Sequence, residues 1–315
     1  MHLIIPFAAS KSEAGLVQQR QLELPNLSQL LRRLQPAPAV GGDALSFSTP
    51  HEWALAESLG LPLGDGQIAW AAYQARQKPT LAQLGGAWAF ITLCHWQMNT
   101  HHVAMSPPPL PALSQQESTD LLVAMQPYFQ EDGISLYDDQ PGRWLAHSPT
   151  FQDVRSASLD RVFGRDLEPW MPLSAMSAGL RRLQNEMQML LYTHPVNDAR
   201  LQRGAVPINS FWLSGTGALP VEYTPALPQD PPQLVDNLRM SALTEDWTGW
   251  SQAWQTLDAQ QVHTVLQAAR AGHPVQLTLC GEQRSQSWRS GSDSIWQPIL
   301  RLFRHDGIPD VLSSL

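Results

Sequence analysis

Cysteine is scarce in this chain. Two thiols, Cys94 and Cys280, among 315 residues exclude a disulfide scaffold, and their separation excludes a zinc knuckle. Long apolar runs are absent too: no window reaches the roughly 18 residues a membrane helix requires. The opening MHLIIPFAASKSEAGL lacks the charged-then-apolar layout of a secretory signal. Nor is there an excess of positive charge. With a net charge of −8 and a pI near 5.6, nucleic acid is not an expected partner. Neither G-x-S-x-G nor H-E-x-x-H occurs, which removes the serine-hydrolase and zincin readings at the motif level. No internal repeat is present. These absences leave a reduced, cytoplasmic setting without membrane partners as the expectation.

What is present is a substantial apolar fraction, 43%, with 12 tryptophans and 26 prolines. That is enough for a real core, large anchoring side chains and a stiff chain. Leu3-Ile4-Ile5 reads as a central strand ended by Pro6. Pro25-Asn26-Leu27 opens a helix, and Thr49 with Pro50 starts another, as N-cap and first helical residue. Ser114 and Glu117 fit a capping box. Trp88 to Leu93 alternates as a strand, and two short strands are expected between Gly133 and Leu145. Trp247, Trp250 and Trp254 fall at helical spacing, most simply as core. Val275 to Leu279 predicts a late strand. The alternation of helices and strands predicts a mixed α/β fold.

The stretch from Leu183 to Pro220 concentrates the candidate chemistry. Leu180, Leu183, Met187, Leu190 and Leu191 trace one apolar helical face. His194-Pro195-Val196-Asn197 is expected to end that helix, because a proline has no N–H to give it. Ile208 to Leu213 reads as a brief buried strand, and Ser214-Gly215-Thr216-Gly217 as a glycine-loosened loop that lets backbone approach a ligand. Such a loop has two readings, an anion cradle or a plain turn. Arg200 and Arg203 likewise read either as a phosphate clamp or as solvated partners of a helix end. Cys94, His95, His101 and His102 offer thiol and imidazole, but C-H-x5-H-H matches no standard zinc spacing. A polar loop around a buried Cys94 is the alternative.

The same stretch resembles the archaeal-type, cofactor-independent phosphoglycerate mutases of the alkaline phosphatase superfamily. The matching positions are His194-Pro195-Val196-Asn197, Arg200, Gly204, Asn209, Trp212, Gly215, Gly217 and Pro220. Weaker likeness covers Leu24 to Leu30 and Ser158 to Arg165, so that roughly residues 1–220 follow the pattern. Over its whole length the chain is still more similar to the RpfE-type regulatory proteins of bacteria. The resemblance implies an alkaline-phosphatase-like α/β core sheet flanked by helices, with an inserted α/β domain. Residues 1–40 together with 230–315 would form the core, and 41–229 the insertion.

That family's phosphoryl transfer needs two divalent metals and a serine nucleophile, and here the corresponding positions depart. The first strand ends in Pro6-Phe7 where the family has an aspartate. Ser48-Thr49-Pro50-His51 has no adjacent aspartate. The late strand ends in Cys280-Gly281-Glu282-Gln283 instead of Asp-His. The expectation is therefore a catalytically degenerate regulatory or adaptor protein with no catalytic residue, metal or cofactor. Its expected partners are an anionic or phosphorylated small molecule and a regulatory protein. Expected ligand-binding residues are His194, Asn197, Arg200, Asn209, Trp212, Ser214, Gly215 and Gly217. The competing expectation is an active metal-dependent phosphomutase or phosphatase with relocated ligands: His51, Glu52, Glu282 and His305.

Overall fold

The computed structural model describes residues 1–98, 102–172, 177–223, 231–291 and 307–315. The chain divides into two compact units. The first comprises Met1–Ala44, Thr49–Gly60 and Pro225–Leu315, and the second comprises Leu45–Ser48 and Leu61–Thr224. The fold is mixed α/β.

In the first unit the strands Gln233–Leu234, His2–Ile5 and Gln276–Cys280 lie side by side and parallel. Arg284–Arg289 continues the sheet antiparallel to Gln276–Cys280, with Gln35–Pro36 and Val40–Gly41 along its far edge. Leu3, Ile4 and Ile5 have no exposed surface, as expected for an apolar run at the centre of a parallel sheet. Trp250 and Trp254 are fully buried in the same core. Their rings meet edge to face at 6.4 Å, an arrangement worth about 0.5–1.5 kcal/mol beyond burial.

The second unit is built on an antiparallel sheet in the order Ser135–Gln140, Arg143–His147, Ala87–Cys94, Ser210–Ala218. Side chains alternate between its two faces. Ala89, Ile91, Leu93, Phe211 and Leu213 point to one face, against the helices Gln115–Glu131 and Ser177–Tyr192. Trp88 points to the other, where the helix Trp70–Gln77 brings Ala71, Ala72 and Ala75.

Two sequence expectations need correction. His194-Pro195 does end the helix Ser177–Tyr192, but it also starts another, Pro195–Gln202. His194 is its N-cap, with Nδ1 accepting from the Val196 N–H at 3.2 Å, and Pro195 sits at the first turn, where its missing N–H costs nothing. Ser214 to Gly217 is not a loop. The strand runs on through it as Ser210–Ala218, bulged where it pairs with the segment Trp88/Phe90.

Candidate functional site

The glycines of that strand have a packing reason. A Cβ on Gly215 would stand 2.9 Å from Phe90 Cδ2 and 3.1 Å from Trp70 Cβ, and one on Gly217 would stand 3.2 Å from Ala69 Cβ. Backbone does approach closely here, as expected at such glycines, but what it approaches is the start of the helix Trp70–Gln77. Between them Thr216, passed over by the motif reading, is fully buried. Its hydroxyl donates to the Val154 carbonyl at 2.6 Å and meets Ser156 Oγ at 2.9 Å. Ser214 is buried on the strand opposite Phe90.

Asn197, Arg200, Asn209 and Trp212 turn their polar atoms onto the protein's own groups. Asn197 donates through Nδ2 to the carbonyls of Leu191 (2.7 Å) and Ile208 (2.6 Å), and its Oδ1 accepts the Ile208 N–H at 2.8 Å. It ties the end of one helix to the approach of the strand. Arg200 is 2% exposed. It donates from Nε to the Val206 carbonyl at 2.8 Å, and from Nη1 to the Ala112 carbonyl at 2.9 Å and Glu117 Oε1 at 3.2 Å. Asn209 accepts the Trp96 N–H at 2.6 Å and donates to the Trp96 carbonyl at 2.8 Å. Trp212 donates its indole N–H to the Ala157 carbonyl at 2.9 Å. Buried polar groups need such partners. Arg203, half exposed, shares Glu117 with Arg200.

Glu117 is the electrostatic centre of this arrangement. Burial alone would raise its pKa. The Ser114 N–H, Arg203, the Ser114 hydroxyl and Arg200 outweigh that and bring it to about 2.

Among the described residues, Cys94, His95 and His102 belong to no group of three potential metal ligands. Cys94 is fully buried and burial pushes its thiol up, away from the thiolate a metal needs. His95 donates from Nδ1 to the Pro207 carbonyl at 2.9 Å. His101 lies outside the described residues.

In the first unit, the strand end where the resembled family places its first metal ligand is occupied by a turn. Phe7 has φ +55°, a strained conformation for a bulky residue. The turn is held from three sides. Trp250 Nε1 donates to the Phe7 carbonyl (2.9 Å), Trp254 Nε1 donates to the Ala8 carbonyl (3.2 Å), and the Ala8 N–H donates to the Cys280 carbonyl (2.8 Å). The Phe7 ring packs on His51 with centroids 5.4 Å apart.

His51 Nε2 lies 3.1 Å from the Thr49 hydroxyl, and Glu52 closes the capping box of the helix Pro50–Ser58 through the Thr49 N–H at 2.8 Å. Glu282 Oε1 accepts the Lys11 N–H at 3.1 Å, and His305 lies outside the described residues. Burial pushes the Cys280 thiol up as well. Among the described residues no three His, Cys, Asp or Glu side chains converge as metal ligands.

Comparison with known proteins adds a distant similarity to phosphoglycerate mutases that work without a bisphosphoglycerate cofactor. The sequence relative is a probable 2,3-bisphosphoglycerate-independent phosphoglycerate mutase of Geobacter sulfurreducens, 25% identical over 169 residues, which are 52% of this chain and 37% of that protein. The chain thus matches little more than a third of that relative's length. Among solved structures, the cofactor-independent phosphoglycerate mutase of Thermoplasma acidophilum aligns with 99% of this chain and 98% of its own at 11% identity and a TM-score of 0.36. A protein from Pyrococcus horikoshii aligns with 92% and 87%, at 12% identity and a TM-score of 0.34. No family model matches the chain. No helix among the described residues is long and apolar enough to cross a membrane.

Proposed function

We propose that this chain is a phosphoglycerate-mutase-like protein that has lost two-metal phosphoryl transfer and acts as a cytoplasmic regulatory or adaptor protein. The observation that carries the reading is the turn at Phe7. A hydrophobic ring packed at a tilt against His51 stands where the resemblance calls for a carboxylate, and three hydrogen bonds hold the turn in place. The chemistry of that family depends on neutralising phosphoryl charge with metals. The groups here are an aromatic ring, a buried thiol and a carboxylate committed to a helix cap.

The eight residues first assigned to a ligand have a different place in this reading. Asn197, Arg200, Asn209 and Trp212 spend their polar atoms on the protein's own backbone, and Gly215 and Gly217 make room for a helix. They are the framework of the second unit. A phosphorylated small molecule remains the ligand class that the similarity suggests, but it would bind without displacing these bonds. Substituting Arg200 or Asn209 is accordingly expected to loosen the fold.

The test is metal content of the purified protein by elemental mass spectrometry after dialysis against manganese and zinc, together with turnover of 2- and 3-phosphoglycerate. Retained metal below one equivalent and no turnover support the reading. About two equivalents with metal-dependent turnover would overturn it. A rise in melting temperature with either phosphoglycerate, without turnover, identifies the ligand class.

A further inference from the structure

On the face of the first unit's sheet that packs against the helix Pro50–Ser58, five polar groups join in one chain. Ser58 Oγ, in the last turn of that helix, donates to the Ala54 carbonyl at 2.8 Å. His2 Nδ1 lies 3.1 Å from the same hydroxyl oxygen. His2 Nε2 lies 2.8 Å from Thr278 Oγ1 on the neighbouring parallel strand. Thr278 Oγ1 in turn lies 2.8 Å from the hydroxyl of Ser287, its register partner on the next strand. Every link is within hydrogen-bond distance.

A hydroxyl has one hydrogen to give, and so has a neutral imidazole, so a fixed end sets every direction. The Ala54 carbonyl can only accept, and it takes the Ser58 hydrogen. Ser58 Oγ is left as an acceptor toward His2, which puts the imidazole hydrogen on Nδ1. Nε2 is then an acceptor for the Thr278 hydrogen, and Thr278 accepts that of Ser287. We infer that this chain is a directional latch: the Ala54 carbonyl fixes His2 as its Nδ1–H tautomer, and the imidazole fastens the end of the helix to the sheet. The first turn of the same helix carries His51, which meets the Phe7 ring, so the latch secures the far end of the element on which that contact depends. Burial disfavours a second proton on the His2 ring, and the positive charges of Arg289 and the N-terminal ammonium add to this. Such a proton would make Nε2 a donor and force Thr278 and Ser287 to reverse, while the Ser58 half would stay as it is.

The test is the His2 tautomer, read by long-range nitrogen–proton NMR of the intact protein at about pH 7, where the ring is neutral. The parent should carry the hydrogen on Nδ1 alone. Ser58→Ala removes the acceptor that fixes it, so the hydrogen should move to Nε2 and point at Thr278. Thr278→Val should leave it on Nδ1. Hydrogen exchange at Leu59, whose N–H closes the helix end on Leu55, should quicken about five- to tenfold in His2→Phe, which keeps a flat ring and loses the bond to Ser58. A parent with the hydrogen on Nε2 would overturn the assigned direction, as would Ser58→Ala protein that keeps it on Nδ1. Unchanged exchange at Leu59 in His2→Phe would overturn the latch. If a variant does not fold, the parent tautomer still decides the direction.

Discussion

Arg200 and Glu117 meet at 3.2 Å with the guanidinium 2% exposed and the carboxylate 14% exposed. The same carboxylate closes the capping box of the helix Gln115–Glu131 through the Ser114 N–H at 2.8 Å. One side chain therefore both starts a helix and neutralises the buried arginine of another. Glu117→Gln keeps a cap acceptor but removes the charge, and is expected to cost about 1–3 kcal/mol. Arg200→Met also orphans the Ala112 and Val206 carbonyls and should cost more, about 3–5 kcal/mol. Urea unfolding followed by circular dichroism measures both, and equal effects would contradict this division of roles.

Two acid-sensitive groups should separate by pH. His2 Nε2 lies 2.8 Å from Thr278 Oγ1 and its Nδ1 lies 3.1 Å from Ser58 Oγ. Burial first, then Arg289 and the N-terminal ammonium, lower its pKa from 6.5 to about 4. The unfolded chain thus takes up the His2 proton first. Its contribution is full above pH 6.5 and is lost as pH falls toward 4. Glu117, lowered from 4.5 to about 2, contributes fully above pH 4.5 and loses that contribution on falling toward 2. Denaturation midpoints against pH should show both losses. His2→Gln should flatten the upper one and Glu117→Gln the lower.

Local signals were legible in the sequence. The caps at Thr49 and Ser114 form as read, because a capping box spans four consecutive residues and needs no distant partner. Leu3-Ile4-Ile5 and Trp88 to Leu93 are strands because their burial pattern is written in their own apolar spacing. The candidate site was legible only as a set of positions. The sequence leaves Arg200 open between a phosphate clamp and a solvated helix-end partner, because its acceptors Ala112 and Glu117 lie 88 and 83 residues away. Asn209 reads as a ligand-binding position because its partner Trp96 is 113 residues away. Proline at His194-Pro195 signals a helix stop and a helix start equally well, and only the fold decides between them. Glycines in Ser214 to Gly217 signal close approach, without saying whether a ligand or a helix approaches.

Gly215 offers a direct check on that last point. Its φ of +63° costs a side-chain-bearing residue about 1–2 kcal/mol, and an alanine Cβ would also press on Phe90 and Trp70. Gly215→Ala is expected to destabilise the second unit by about 2–4 kcal/mol in total. Adding Phe90→Leu should recover the steric part and leave the conformational part. Full recovery would mean the backbone angle is unstrained, and no loss in the single variant would mean the strand does not pack on that helix.

The helix Pro25–Leu31 has no side-chain cap of its own, since Leu24 precedes it. Asp258, buried at 3% exposure in the π-helical turn Asp258–Val262, supplies one from 231 residues further on. Its Oδ1 accepts the Leu27 N–H at 2.7 Å, and its Oδ2 accepts the Asn26 N–H and Nδ2 at 3.1 Å each. All three incoming groups are donors, so only a carboxylate satisfies them with both oxygens, and the helix dipole favours its charge. Asp258→Asn turns one oxygen into a donor facing a donor. It is expected to cost about 2–3 kcal/mol despite its near-identical shape. Asp258→Leu should cost no less, because it leaves the same N–H groups buried. Hydrogen exchange at Asn26 and Leu27 reports the loss directly. Faster exchange there, with unchanged protection at Ile91 and Leu213 in the second unit, is the expected pattern, and unchanged exchange at Leu27 would mean the cap contributes nothing.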